Sequence, residues 1–385
     1  MGKIATVSCS VIGLAVLLLP SAAQAAPFKT LYAFAGGSDG ASPYAGLIIV
    51  GGYLYGTTIG GGAANEGTVF RIKRSTGAET LLHSFGGSGD GRQPQGVLVN
   101  LHGTLYGTTS HGGAANGYGT VFTIDPTTGA ETVLHTFTGG SGGSDGALPL
   151  AGLINVGGTL YGTTSIGNSE NSGTVFSIDP TTGADTILYN FDANNGDGYQ
   201  PYGALIYVHG TFYGTTTSGG ASSYGTVFKI KRATRAESIV YAFAGNSDGG
   251  GPFAGVINVG GILYGTTVGA GASPVGTVFA VNPATGAETV LHRFGSGSDG
   301  LGVTTGLVNV NGTLYGTTGA GGASGDGTVY SIDPGTGAEA IVYSFTGGSD
   351  GKSPNSSLLN RRGVLYGTTS GGGANNFGTV FQLTP

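Results

Sequence analysis

Tryptophan is absent from this 385-residue chain, and cysteine occurs once, as Cys9. Because Cys9 lies in an N-terminal segment that resembles a leader, no disulfide is expected and stability must come from packing. Only 9% of the residues are charged, the net charge is −6, and no basic stripe is present, which argues against nucleic acid as a partner. The sequence also lacks a phosphate-binding loop, a His/Cys ligand run and a nucleophile elbow, so no cofactor is predicted.

The first 26 residues have the three parts of a secretory signal peptide. Lys3 supplies the basic start, residues 11–19 form a short apolar run, and Ala-Gln-Ala at 23–25 provides a small-residue cleavage site. The apolar run is too short for a resident membrane-spanning helix. We therefore expect residues 1–26 to be removed, leaving a soluble protein that is secreted or periplasmic.

Glycine is abundant, with 81 residues, and its positions follow a long repeat. The pentapeptide Leu-Tyr-Gly-Thr-Thr occurs six times and Phe-Tyr-Gly-Thr-Thr once. Its tyrosines are Tyr55, Tyr106, Tyr161, Tyr213, Tyr264, Tyr315 and Tyr366. They are 51, 55, 52, 51, 51 and 51 residues apart, a period close to that of propeller blades.

Each repeat contains four short runs of β-branched and aromatic residues, which predicts four antiparallel strands per repeat. In the first copy these runs are residues 46–50, 53–58, 67–73 and 79–85. The last copy stops after its third run, whereas residues 28–34 form a spare fourth run at the other end. Pairing of these ends would close the ring and remove exposed sheet edges. We predict an all-β, seven-bladed β-propeller that occupies residues 27–385 as one domain.

The pentapeptide indicates packing between blades rather than catalysis, since one reaction centre does not need seven copies. Strand alternation places Tyr55 and Thr57 on one face of the sheet and Gly56 on the other. We expect the glycine to leave room for the tyrosine of the adjacent blade. Glycine also fills the second turn position of the first hairpin, where positive φ is expected. Arg235 replaces glycine in one later turn, which predicts a strain of about 1 kcal/mol.

The combined pattern LYGTT…GG…GTVF…LHSF…GGSDG…P resembles the GloVer (Gloeo/Verruco) tandem-repeat proteins of bacteria over residues 28–385. The resemblance implies a secreted, β-propeller-like protein, and family members often carry a C-terminal surface anchor. This sequence ends in Phe-Gln-Leu-Thr-Pro without a hydrophobic tail, so we expect a freely soluble product. The resemblance implies the fold and no particular biochemical activity.

An aspartate recurs in the long connection between each fourth strand and the next first strand. These residues are Asp39, Asp90, Asp145, Asp197, Asp248, Asp299 and Asp350. A fixed Asp-Gly pair favours a turn in which the carboxylate accepts backbone N–H groups. The alternative is a ring of acceptors at the channel mouth that holds a cation or sugar hydroxyls.

One connection collects several oxygen ligands and is a candidate calcium site. Its residues are Asp192, Asn194 and Asp197, although their spacing misses the EF-hand pattern and no bidentate glutamate follows. Ordinary loop polarity is the alternative interpretation. Calcium is therefore the one cofactor that the sequence leaves open.

Three histidines follow the repeat. His83, His135 and His292 occupy a fourth-strand position that holds tyrosine in the other copies. A position that accepts either ring favours a packing role with a polar tip. His111 lies apart from this pattern, in a long connection.

A single active site in a sevenfold frame must break the symmetry, so polar residues that do not repeat are the candidates. Glu66, Arg92 and His111 offer an acid/base pair and a cation that could hold a carboxylate, the minimum for polysaccharide lysis or hydrolysis. Further candidates for ligand binding are Glu170, Tyr199, Gln200, Asp326 and Lys352. Chance drift of loop residues is the alternative explanation for both groups.

The sequence favours a secreted binding or scaffold module over an enzyme. The expected ligand is an extracellular glycan or an envelope protein, and the expected state is a monomer without a membrane span. The alternative is a polysaccharide lyase or glycoside hydrolase that works from the long-loop face through Glu66, Arg92 and His111.

Overall fold

The computed structural model describes residues 1–2 and 27–385, apart from 114–116, 140–144, 168–169, 270–274 and 296–298. The signal peptide predicted from the sequence lies outside the described residues except for its first two positions. The described part contains no helix with the length and apolar character needed to cross a bilayer. Its helical residues are two 3-10 turns, Gly37–Asp39 and Ala193–Asn195.

The described strands form seven four-stranded antiparallel sheets, numbered here as blades 1 to 7. The first strands are Ile48–Val50, Val99–Leu101, Ile154–Val156, Ile206–Val208, Ile257–Val259, Val308–Val310 and Leu359–Arg361. The second strands are Tyr53–Thr58, Thr104–Thr109, Thr159–Thr164, Thr211–Thr216, Ile262–Thr267, Thr313–Thr318 and Val364–Thr369. In each blade these two strands form a tight hairpin.

The outer half of blades 1 to 6 is a second hairpin, whereas in blade 7 it pairs the two ends of the chain. The third strands are Thr68–Lys73, Thr120–Ile124, Thr174–Ile178, Thr226–Lys231, Thr277–Val281, Thr328–Ile332 and Thr379–Leu383. The fourth strands are Glu79–Ser84, Glu131–Thr136, Asp185–Asn190, Glu237–Ala242, Glu288–Arg293, Glu339–Ser344 and, for blade 7, Phe28–Ala33. In the first copy the predicted runs differ from the observed strands by at most two residues at either end.

Short two-residue ladders join the long connections on one face of the ring. Each pairs the segment before a first strand with the segment after the second strand of the same blade. The pairs are Gly91–Arg92 with His111–Gly112, Gly198–Tyr199 with Ser218–Gly219, and Gly300–Leu301 with Ala320–Gly321. We call this side the long-loop face.

The ring closes between the two ends of the chain. Phe28–Ala33 pairs antiparallel with Thr379–Leu383, so blade 7 takes three strands from the C-terminal end and one from the N-terminal end. Phe28 also stacks on Tyr343 with ring centroids 4.1 Å apart. The fold is a seven-bladed β-propeller with the predicted strand closure.

First strands lie at the axis, and the hydrophobic core lies between blades. Asn360 Nδ2 donates to the carbonyl of Asn309, which links the first strands of blades 7 and 6. Each core cluster combines residues of two neighbouring blades. In one of them, Tyr55 of blade 1 belongs to the same cluster as Leu98 and Phe122 of blade 2. Seven edge-to-face aromatic pairs, with centroids 5.0 to 5.3 Å apart, cross the interfaces.

The prediction that the pentapeptide glycine accommodates the tyrosine of the adjacent blade is wrong. Gly56 lies directly opposite Phe70 of its own third strand, and a Cβ at Gly56 would lie 2.6 Å from Phe70 Cζ. The same arrangement recurs in all seven blades. Tyr55 packs against blade 2 from the other face of the sheet. The glycine therefore makes room for a cross-strand partner within the blade.

The tight turns follow the expected backbone pattern with one exception. Glycine at the second turn position of the first hairpin has positive φ in blades 2 to 7, whereas in blade 1 the positive φ falls on Gly51 and not on Gly52. Arg235 has φ 58°, while the equivalent glycines have φ of 72° to 76°. Arg235 thus adopts the left-handed backbone conformation, which is unfavourable for a residue with a side chain, as the predicted strain requires.

Candidate functional site

The repeated aspartates lie beside the outermost strands, away from the axis. Each carboxylate accepts the backbone N–H of the residue that follows the phenylalanine at the end of the fourth strand. These donors are Ala35, Gly86, Thr138, Asp192, Ala244, Gly295 and Thr346. The carboxylates therefore organise the connections, and none of them lines the axial cavity found among the described residues.

A ring side chain from the fourth strand meets each aspartate. Tyr32 Oη donates to Asp39 at 2.7 Å, and Tyr189 Oη donates to Asp197 at 2.8 Å. At the histidine positions, His83 Nε2 lies 3.1 Å from Asp90 Oδ2. The histidines thus occupy the polar-tipped packing position that the sequence indicates.

An acidic residue at the start of the next blade's fourth strand faces these pairs. Burial, followed by the charge of Asp197, raises the pKa of Glu237 to about 7. Burial and the charge of Asp39 raise the pKa of Glu79 to about 7 in the same way. Blade interfaces therefore concentrate acidic groups near the outer rim.

The three catalytic candidates lie close together, but their side chains do not all converge. Arg92 Nη1 is 3.7 Å from Glu66 Oε1, in an ion pair that spans blades 1 and 2. His111 pairs with Arg92 through the backbone ladder, and its Nδ1 is 2.9 Å from Ser110 Oγ. A surface cavity of about 520 Å³ is lined by Glu66, Arg92 and Asp90 and not by His111.

The remaining ligand candidates belong to repeated positions at the blade junctions. Tyr199 and Lys352 occupy the ladder position that Arg92 holds in blade 2. Gln200 has φ 60° and donates its N–H to the carbonyl of Ser172 in blade 3. That backbone hydrogen bond joins blade 3 to the connection that leads into blade 4. The position therefore has a structural role that does not depend on the Gln200 side chain.

Two acidic candidates have different surroundings. Asp326 accepts the backbone N–H of Ser353 through its own carbonyl, which repeats the junction between Glu66 and Gln93. Glu170 Oε2 accepts a hydrogen bond from Asn194 Nδ2 at 2.9 Å. Glu170 is therefore hydrogen-bonded to one of the three calcium candidates.

The calcium candidates already use their oxygens on protein donors. Asp192 accepts from the backbone N–H of Asn194 and from the side-chain amide of Asn195. Asp197 accepts from Tyr189 and from the backbone N–H of Gly198. The carboxylates of Asp192 and Asp197 therefore serve different hydrogen-bond groups.

An axial cavity of about 400 Å³ opens where the long connections reach the first strands. Each blade contributes the segment just before its first strand. The residues at the equivalent position of the seven blades are Tyr44, Gln95, Leu150, Tyr202, Phe253, Thr304 and Asn355. We call these seven residues the axial ring.

One arc of the axial ring is aromatic. The Tyr202 and Phe253 rings have centroids 5.0 Å apart with an interplanar angle of 53°, and Phe253 is 38% exposed. Gln95 and Asn355 supply amides on the other arc, each anchored by donation to a serine hydroxyl. Polar and apolar groups therefore face one cavity, as ligand sites require.

Sequence reasoning missed the axial ring. Six of its members follow a proline, and only Thr304 follows Val303 instead. The third residue after the position is leucine or valine in all seven blades, whereas the position itself carries six different amino acids. The sequence therefore marks this position as variable within a repeated pattern. Only the topology of the ring shows that the position lies at the axis.

The family model of the Gloeobacter/Verrucomicrobia repeat matches residues 20–175 and 149–381. The chain therefore belongs to this repeat family. No curated protein matches the sequence.

Solved structures resemble the chain in fold. An oligogalacturonate lyase (VPA0088) from Vibrio parahaemolyticus is 9% identical with a TM-score of 0.59, and 94% of each chain is covered. An oligogalacturonate lyase in complex with manganese is 13% identical with a TM-score of 0.55, again with 94% of each chain covered. The computationally designed Ika8 protein is 13% identical with a TM-score of 0.51, over 91% of this chain and 99% of that one. At such identities the likeness concerns the propeller fold alone.

Proposed function

We propose that this propeller is a secreted binding module that holds an extracellular glycan at the axial ring. The single observation that carries the proposal is that one of the repeat positions lining the axial cavity carries six different amino acids in seven blades, two of them aromatic and two of them amides, while the packing residues of the blades repeat. A frame that repeats its packing residues and varies its cavity residues has the pattern of a scaffold that presents a recognition site. Secretion rests on the N-terminal signal in the sequence.

The chemistry of the axial ring favours a sugar. Tyr202 and Phe253 offer aromatic faces for the C–H groups of a pyranose ring, and Gln95 and Asn355 offer amides for its hydroxyls. A volume of about 400 Å³ is within the range of small-ligand sites. No lysine, arginine, aspartate or glutamate is among the described residues that line this cavity, so a neutral saccharide suits it better than a highly charged one.

The test begins with the mature chain, residues 27–385, on an array of neutral and acidic oligosaccharides. A glycan that binds is then titrated calorimetrically against Tyr202→Ala and Phe253→Ala. We expect each variant to weaken binding about tenfold or more, since loss of a central aromatic contact typically costs more than 1 kcal/mol. Tyr224→Ala is the matched control, because Tyr224 is 44% exposed but packs on Gly245 away from the cavity.

Two results would overturn the proposal. One is an array on which no glycan binds, and the other is a bound glycan whose affinity is the same in both axial-ring variants. If an envelope protein bound at the axial ring and no glycan did, the ligand would be a protein and the glycan proposal would be wrong.

Polysaccharide cleavage is the second candidate function, favoured by the Glu66–Arg92 pair beside a surface cavity of about 520 Å³. An ion pair of this kind can hold a substrate carboxylate and supply an acid/base group. The oligogalacturonate lyases that share the fold are lyases by name, which makes acidic polysaccharides the first substrates to assay. New reducing ends or unsaturated products that disappear in Glu66→Gln and His111→Ala would establish this activity in place of simple binding.

A further inference from the structure

Two blade interfaces bring a histidine and two carboxylates together. Between blades 1 and 2 the group is His83, Asp90 and Glu131, and between blades 5 and 6 it is His292, Asp299 and Glu339. In each group one ligand atom per residue lies within 4.8 Å of the other two. Both groups combine two residues of one blade with the leading glutamate of the next.

The first group lacks a cation of its own. Glu131 Oε1 is buried and has no hydrogen-bond partner. Asp90 Oδ2 accepts the backbone N–H of Gly86 and lies 3.1 Å from His83 Nε2. Within the described ranges, no lysine or arginine forms an ion pair with Asp90 or Glu131. The carboxylates of Asp90 and Glu131 therefore face each other in a half-buried cluster. The nearest group that can carry a positive charge is the His83 imidazole, and it does so only when protonated.

The second group repeats this situation. His292 Nε2 lies 3.4 Å from Asp299 Oδ2 without a hydrogen-bond partner, and Glu339 Oε1 is also buried without one. An unsatisfied nitrogen and an unsatisfied oxygen thus face the same small volume. An unpartnered glutamate oxygen also occurs at three interfaces that carry tyrosine, at Glu79, Glu237 and Glu288. The two groups differ from these because an imidazole and two carboxylates face one small volume, which a metal ion could satisfy together.

The other interfaces provide an internal comparison. Four of them carry tyrosine at the histidine position, and its hydroxyl donates to the aspartate, as Tyr241 does to Asp248 at 2.9 Å. The interface between blades 2 and 3 has His135 and Asp145, but the shorter Asp185 stands where the other histidine interfaces have glutamate. Among the residues that the structure describes, the ligand atoms of this third histidine group do not all lie within 4.8 Å of one another.

We propose that these two interfaces bind a divalent transition metal of the zinc type, each through His Nε2 and two carboxylate oxygens. Imidazole and carboxylate ligands suit Zn²⁺, at ligand distances of about 2.0–2.2 Å. Three protein ligands leave a coordination position for water. Asp90 also lines the surface cavity beside Glu66 and Arg92, which gives the first site an entry path from solvent.

The metal would act as a clamp between blades. His83 and Asp90 belong to blade 1 and its outgoing connection, whereas Glu131 begins the fourth strand of blade 2. A metal bound by both blades favours the closed interface, so it stabilises the folded state by an amount that increases with the free metal concentration relative to the dissociation constant. The fourth strands and the connections that follow them supply the ligands at the outer rim of the ring.

The test uses the mature chain after chelation, titrated with ZnSO₄ by calorimetry and checked by elemental analysis after desalting. We expect two equivalents of zinc per chain, one at each group, and a rise in melting temperature on zinc addition. His83→Tyr and His292→Tyr should each remove one equivalent. The double variant should lose tight binding by at least about 100-fold. These variants should fold, since tyrosine occupies the same position in four other copies.

His135→Tyr is the matched control and should leave both equivalents in place. Glu131→Gln and Glu339→Gln keep the side-chain size while removing a charged ligand, and each should also abolish one equivalent. Absence of saturable zinc binding would overturn the proposal. So would two equivalents that persist in the His83→Tyr/His292→Tyr double variant, because surface histidines such as His102 and His209 would then hold the metal.

Discussion

At the scale of single residues, every position of the repeated pentapeptide has its own contact. In blade 1, Leu54 packs toward blade 7 and Tyr55 toward blade 2. Gly56 makes room for Phe70. Thr57 Oγ1 donates to the carbonyl of Pro94 in blade 2, and Thr58 Oγ1 bonds Thr68 Oγ1 at 2.7 Å. The pentapeptide thus repeats because each blade makes the same contacts between its own strands and with its neighbours.

Gly56→Ala tests the role assigned to the glycine. The new Cβ would lie 2.6 Å from Phe70 Cζ and 2.8 Å from Leu47 Cδ2, so we expect a destabilisation of about 1–3 kcal/mol from overpacking. Gly52→Ala, in the adjacent turn with nothing within 4 Å of its Cβ, is the control and should change the free energy of unfolding by less than about 0.5 kcal/mol. Equal effects in urea denaturation would contradict the account.

Tyr330→Phe tests a residue that departs from the repeat. The other six blades have phenylalanine at this position, and the Tyr330 hydroxyl is fully buried without a hydrogen-bond partner. Burial raises the pKa of this phenol far above its ordinary value. Removing the hydroxyl should stabilise the fold by about 1–3 kcal/mol, whereas Phe279→Tyr should destabilise it by a similar amount. A Tyr330→Phe protein that is less stable would indicate a partner for the hydroxyl.

At the scale of strands and blades, the sequence was sufficient for most of the framework. Strand number, hairpin turns and the order of strands follow from period-two runs separated by glycine-rich turns, because these are local properties. The contact of Gly56 with Phe70 could not be assigned in the same way. Either a side chain of the neighbouring strand or one of the adjacent blade could occupy the space beside Gly56. Only the strand register, which pairs Gly56 with Phe70, distinguishes the two.

Glu237 gives the blade interfaces a dependence on pH. Its pKa is raised to about 7 by burial and by Asp197, above the ordinary value of 4.5. A raised acid pKa means that the folded state holds the proton more tightly, so the stabilisation is complete below pH 4.5 and is lost as pH rises through 7. We therefore expect the free energy of unfolding to fall between these values.

Glu237→Gln should remove part of that loss. At pH 8 in the presence of chelator, the variant should exceed the parent chain in stability by about 1 kcal/mol, since water screens a partly exposed carboxylate. At pH 4 the two proteins should be equal. Denaturation curves that differ equally at both pH values would show that the titration of Glu237 is not the cause.

At the scale of the whole molecule, the closure strand holds the ring together. Leu31 and Phe34 are buried in the cluster shared by blades 7 and 1, and Phe28 packs on Phe381. Deletion of residues 27–34 should cost roughly 5 kcal/mol from the lost apolar burial. The exposed edge of Thr379–Leu383 should also promote association.

Melting curves and light scattering check this deletion. We expect a fall in melting temperature of about 10 °C or more, and partial recovery when a peptide of residues 27–34 is added in trans. A deletion variant that melts like the parent chain would show that the ring does not depend on this strand.

The candidate site was only partly accessible from the sequence. Glu66 and Arg92 are polar residues that break the sevenfold symmetry of the sequence, and they do form a pair across a blade interface. Tyr202 and Phe253 carry no such signal, because aromatic residues in a β-rich repeat are typical of the core. Their position at the axis depends on seven segments that are about fifty residues apart in sequence and meet only when the ring is closed.

The most direct test of the account is a crystal structure of residues 27–385 with the oligosaccharide that binds most tightly on the array. A sugar ring should lie against Tyr202 and Phe253, with its hydroxyls near the amides of Gln95 and Asn355. Sugar density in the cavity beside Glu66 and Arg92, with an empty axial cavity, would contradict it.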